Sequence, residues 1–133
     1  QVQAGSEISF GQIFLAAPDV DPDIFQELAV AYQNLAERTT LYISAKDKAL
    51  ATSGIIHDYP RAGFSPPITV VDGIDTVEVS NIDLTLLGHG YFADARNVLH
   101  DMHQLLIHND DPEQRFGLRR KQENGQNYWI MGR

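Results

Sequence analysis

Residues 12–17, Gln-Ile-Phe-Leu-Ala-Ala, form a short, almost wholly apolar run, and this most constrains what the chain can fold into. A strand apolar on both sides must be covered on both sides, as happens in a parallel sheet lying between helices. The run stops at Pro18-Asp19-Val20-Asp21-Pro22-Asp23, a turn-rich acidic stretch. The period then changes. Ile24, Leu28, Ala31 and Leu35 recur at helical spacing over 23–37, with Asp23 placed to cap the helix. Residues 39–45 are β-branched and aromatic and read as a second strand. A short helix or turn is expected from Asp47 to about Ser53, and an irregular Pro- and Gly-containing loop over 57–67.

Residues 68–71 and 76–80 read as strands separated by the turn signal Asp72-Gly73. The strongest helical pattern covers 91–108. Phe92, Ala95, Leu99, Met102, Leu105 and Leu106 make its apolar stripe, and Asp94, Asn97, Asp101 and Gln104 its polar side. Residues 110–133 read as a polar, loop-like tail closed by Tyr128-Trp129-Ile130. Strand, helix, strand, helix or loop, strand, helix is the order of a parallel sheet with crossover helices. The expected fold is therefore α/β, with three layers, a short mostly parallel sheet and crossover helices. It forms one domain over 1–133, with its core at 12–108 and a polar tail at 109–133.

The net charge is −8. Residues 114–133 run against it, with Arg115, Arg119, Arg120, Lys121 and Arg133 opposing only Glu123, a local net of +4. The acidic balance argues against non-specific nucleic-acid binding, which needs Lys and Arg at phosphates, and the basic tail reads as a solvated surface segment. With no cysteine, thiolate catalysis, disulfides and Cys-type zinc sites are excluded. No apolar run approaches the roughly 20 residues of a transmembrane helix. The first residues have neither the basic nor the apolar region of a signal peptide, and no initiator Met, so the compartment stays open. No cofactor is expected.

In parallel α/β sheets, functional residues sit on loops just past the carboxyl ends of strands. The loop after Ala17 offers Asp19, Asp21 and Asp23, which lack the Gly and distal Glu of a calcium loop and suit turns and caps. The loop after Ala45 offers Asp47, which alone would be a helix cap. The third reaches Leu87-Gly88-His89-Gly90-Tyr91-Phe92, where two glycines flank a histidine just before a helix. A neutral imidazole takes a proton near pH 7, and a carboxylate on its other nitrogen fixes its tautomer. Asp47 and His89 come in the acid-then-histidine order of α/β-hydrolases. His100 and His103 stand three apart on a helix without an evident third ligand, so a solvated flank is expected. Arg61 suits either a substrate anion or a structural ion pair. Tyr128 and Trp129 read as cover for a core edge.

Four stretches together resemble one bacterial family. They are Ile13-Phe-Leu-Ala-Ala-Pro-Asp-Val-Asp21, Thr40-Leu-Tyr-Ile-Ser-Ala-Lys-Asp-Lys-Ala-Leu50, Pro60-Arg-Ala-Gly63 and Gly88-His-Gly-Tyr-Phe92. The family is the α/β-hydrolases of unknown function numbered 900, esterase/lipase-like, and the likeness covers the C-terminal half of its fold over about 12–108. The resemblance implies that 12–17, 39–45 and 76–80 are the sixth, seventh and eighth strands. It also makes Asp47 the triad acid, with Asp19 or Asp21 in reserve, and His89 the base. Gly90 departs from the Ser that often follows the family's histidine.

No serine here sits in a nucleophile elbow, which in this fold precedes the sixth strand, and the oxyanion donors would precede it too. Two functions follow as expectations. One is a C-terminal fragment of a serine hydrolase for small ester-like substrates, paired with the missing N-terminal half. The other is a non-catalytic half-fold that associates through the edge of strand 12–17.

Overall fold

The computed structural model describes residues 10–45, 61–65, 67–79, 84 and 95–131. β1 (Phe10–Ala16) leads to α1 (Pro22–Leu35) and β2 (Ala36–Ala45), and the two-residue β3 (Phe64–Ser65) and then β4 (Asp75–Val79) follow. α2 (Arg96–His108), a 3-10 turn (Pro112–Gln114), β5 (Leu118–Glu123) and β6 (Gln126–Met131) complete the described chain. The strands form one sheet in the order β1-β2-β4-β6-β5, with β3 paired to β2. All pairings are parallel except β5 with β6. The α/β expectation holds, with the strands expected at 12–17, 39–45 and 76–80 lying side by side as β1, β2 and β4.

Side-chain alternation along β2 divides the core. Leu41 and Ile43 meet Phe25 and Ala29 of α1 on one face. Tyr42 meets Val77, Val79 and, from α2, Val98 on the other. A sheet packed on both faces needs a helix on each, which explains why both faces of β2 are buried, its Thr39, Thr40 and Ser44 included.

Five local readings change. In α1 the buried stripe is Phe25 and Ala29, with Tyr32 packed against it, while Ile24 and Leu28 face outward. Both sets have helical spacing, and the apolar face of β2 selects the one carrying the larger ring. The cap of α1 is Asp21, whose Oδ1 accepts the Asp23 N–H at 2.8 Å, with Pro22 opening the helix. Residues 68–71 form no strand. β4 already has β2 on one side and β6 on the other, so a hairpin arm there has no free edge. The Asp72-Gly73 turn itself is present, with Gly73 at φ +87 and Ile74 N–H bonded to Val71 O at 3.1 Å.

The tail reading is overturned most fully. Residues 118–131 form a β-hairpin, and β6 is an inner strand running parallel to β4. Its turn is Asn124-Gly125, both residues at positive φ (54 and 78), as the tightest hairpins require. On α2, Leu99 and Leu106 are exposed, and Asp101, expected on the wet side, is 1% exposed. Its partner is Arg115, expected in a solvated segment and 3% exposed. The Arg115 Nε donates to Asp101 Oδ1 at 2.9 Å and Tyr42 OH to Oδ2 at 2.6 Å. This buried trio ties β2, α2 and the approach to the hairpin together. At the sheet's amino end Arg38 holds Asp75 (2.6 Å) and Asp111 (2.7 Å).

Candidate active site

The parallel strands β1, β2, β4 and β6 all end at one edge, where the loop after β1 and the 61–65 segment meet the end of β2. Ala17, just past β1, adopts φ 48, a left-handed conformation uncommon for a residue with a Cβ. It is held there by its N–H bond to Tyr42 O at 2.8 Å. The Arg61-Ala62-Gly63 stretch is laced between the loop after β1 and the end of β2. Ala62 N–H donates to Val20 O (2.7 Å), Gly63 N–H to Pro18 O (2.9 Å), and Ser44 N–H to Gly63 O (2.9 Å). Arg61 Nε pairs with Asp19 Oδ1 at 3.0 Å. Of the two readings open for Arg61, the structure therefore contains the ion pair.

Two hydroxyls missed by sequence reasoning also work at this edge. Ser44 Oγ accepts the Leu84 N–H at 2.8 Å, fastening the chain beyond β4 to the end of β2. Ser65 Oγ donates to the carboxylate of Glu78, joining β3 to β4. Neither Ser lies in a recognisable motif. The only local signal was a small hydroxyl residue at each strand's last positions. Beneath the edge, burial and the adjacent Asp101 carboxylate push the Tyr42 hydroxyl far above its ordinary range. Tyr42 is thus a fixed hydrogen-bond donor to Asp101, its hydroxyl staying protonated.

Asp47 and His89 lie outside the described residues, as do the expected helix or turn over 47–53 and residues 57–60 and 66 of the 57–67 loop. The strands that precede both residues are described and adjacent: Ser44 stands opposite Val79. Asp21 is engaged as a cap and Asp19 by Arg61. His100 and His103 are exposed on α2, and among the described residues no group of three or more His, Asp or Glu side chains converges as a metal site. No helix among them is long and apolar enough to cross a membrane.

A mostly parallel sheet with a helix packed on each face places the chain among α/β proteins. The family model of alpha/beta hydrolases of unknown function (DUF900) matches residues 1–109, and the chain belongs to that family. No curated protein and no solved structure matches it. The β5–β6 hairpin lies beyond the matched residues.

Proposed function

We propose that this chain supplies the acid and the histidine of a serine hydrolase, esterase- or lipase-like, acting on a small ester-like carbonyl. The observation that carries the reading is the parallel pairing of β2 with β4, which sends the chain out of both strands at the same edge. Asp47 follows the end of β2 by two positions and His89 follows the end of β4 by ten. In this reading a serine from a preceding segment of a longer polypeptide attacks the carbonyl. His89 takes the serine proton and passes it to the leaving alcohol, then activates the water that releases the acyl group. Asp47 holds the imidazole tautomer and steadies its positive form. The engagement of Asp19 by Arg61 and of Asp21 by the α1 amino end favours Asp47 as the acid.

The test is labelling of that longer polypeptide with a fluorophosphonate. His89→Ala and Asp47→Asn are each expected to slow labelling by about 10³–10⁴. Undiminished labelling of His89→Ala overturns the assignment.

A second reading, a non-catalytic module that associates with another chain or a second copy, draws on β1. Among the described residues β1 is paired only by β2 and ends the sheet, with Ile13, Phe14 and Leu15 half-buried. An apolar strand at a sheet edge is a template for a further strand. Sedimentation of the 133-residue chain is then expected to show dimers or larger species, and a sharp monomer boundary with cooperative unfolding removes the reading.

A further inference from the structure

A cavity of about 600 Å³ opens between α2 and the start of β5, within the size range of small-molecule sites. The register of the sheet fixes where it lies. Ser44 of β2 stands opposite Val79 of β4, Val79 opposite Met131 of β6, and Met131 opposite Leu118 of β5. These residues make one row across the carboxyl edge, and Met131 and Leu118 line the cavity. With strands about 4.8 Å apart, Met131 lies about 5 Å from the last residue of β4 and about 10 Å from Ser44. The cavity therefore opens at the edge where the proposed hydrolase chemistry takes place.

Its lining suits an uncharged, apolar occupant. Val79, Met131 and Leu118 share the sheet face that packs on α2. Phe116, Leu118 and Met131 supply apolar surface, with Asn97 and His100 from the first turns of α2 opposite them. Arg119 also borders the cavity, but alternation along β5 turns its side chain to the other face of the sheet. Among the described residues no carboxylate and no Lys lines it. Phe116 is 82% exposed, an aromatic ring held in water beside the opening. Gly117, at φ +89, makes the turn that separates this ring from β5.

We propose that this cavity receives the hydrocarbon chain of the ester substrate, with Phe116, Leu118 and Met131 as the residues that set chain-length preference. The inference rests on the hydrolase reading. A hydrocarbon chain asks for no counter-charge and gains by leaving water, each buried methylene being worth a factor of about four or more. Its entry takes the Phe116 ring out of water in the same event. Phe116, Leu118 and Met131 all lie beyond the family-matched residues 1–109, so the preference belongs to this chain's own extension of the fold.

The test compares kcat/KM of the longer polypeptide on two ester series. Nitrophenyl esters from acetate to octanoate vary the acyl chain, and alkyl acetates from ethyl to octyl vary the alcohol. In one series the long ester is expected to be preferred over the short one by about tenfold or more, and that series says which side of the ester the cavity holds. Phe116→Ala is expected to lower this long-to-short ratio by about tenfold. Asn97→Leu, which makes the facing wall apolar, is expected to raise it, and a general loss of folding cannot produce opposite signs. Leu106→Ala removes another exposed apolar side chain, outside the cavity, and is expected to leave the ratio unchanged. The proposal is overturned if neither series shows a preference, or if Phe116→Ala leaves the ratio within about twofold of the parent. It is also overturned if Leu106→Ala lowers the ratio as much, or if Asn97→Leu lowers it too. Turnover with no chain-length preference removes this inference alone, whereas no turnover of any ester removes the hydrolase reading and this inference with it.

Discussion

Replacing Arg115 by alanine is expected to remove about 3–5 kcal/mol of folding stability, the cost of leaving one member of a buried ion pair without its counter-charge. The Arg115 and Asp101 side chains are 0% and 1% exposed. The guanidinium approaches the carboxylate with two nitrogens, Nε at 2.9 Å and Nη2 at 3.2 Å, and Nη1 reaches Asp110 O at 3.3 Å. Without it, Asp101 keeps only the Tyr42 hydroxyl, and one hydrogen bond does not offset a desolvated negative charge. The pair Arg120–Glu113 provides the contrast: 3.4 Å long, with side chains 57% and 63% exposed. Arg120→Ala is expected to change stability by less than about 0.5 kcal/mol. Urea midpoints of the two variants measure the difference, and equal midpoints overturn the role given to the trio. An Arg115→Met, Asp101→Leu double variant is expected to recover much of the loss, since an apolar pair of similar size needs no counter-charge.

Gly63→Ala is the second large effect, and it arises from backbone contact. A Cβ at Gly63 would fall far inside van der Waals contact with the Ala17 carbonyl carbon and Cα and the Pro18 nitrogen. These are main-chain atoms fixed by the Gly63–Pro18 and Ala17–Tyr42 hydrogen bonds, so no side chain can swing aside. The expected cost lies at or above the upper end of about 1–3 kcal/mol typical of overpacked sites. The displacement also moves the loop after β1 away from the end of β2, the edge from which the proposed chemistry works. Gly11→Ala is the control, since nothing lies within 4 Å of a Cβ there. A thermal midpoint several degrees lower for Gly63→Ala alone is expected, and equal midpoints overturn the account.

The strands were legible where burial is two-sided. The 12–17 run is almost wholly apolar and the 39–45 run is β-branched and aromatic with no charged residue, and such patterns admit few structures. β5 was not legible, because as an edge strand its residues Arg119 to Glu123 are all exposed and show no alternation. The Asn124-Gly125 pair was the signal available there, and the polar flanks masked it. Asp101 was misplaced because its partners are distant in sequence, Arg115 by 14 positions and Tyr42 by 59. Helical periodicity sorts residues by polarity and cannot see that a carboxylate has a buried guanidinium waiting for it.

Part of the edge chemistry is hidden for the same reason. The resemblance singled out Pro60-Arg-Ala-Gly63 as a motif, but only the fold shows Gly63 wedged against Ala17. No spacing links Ser65 to Glu78 or Ser44 to Leu84, since each pair meets only after β2, β3 and β4 are in register. The family was legible because several short motifs occur in a fixed order, which is information of a different kind from periodicity.

The two ends of the described sheet are chemically unlike, and this gives its lateral growth a direction. At the β5 end a further strand would have to lie beside Arg119, Arg120 and Lys121, and charge repels a like edge and keeps water on the backbone. The β1 end carries no Lys, Arg, Asp or Glu between Phe10 and Ala16. Any strand added to this sheet, from the same polypeptide or another, therefore has one hospitable side, and repeated end-to-end stacking into an open ribbon is blocked after a single junction.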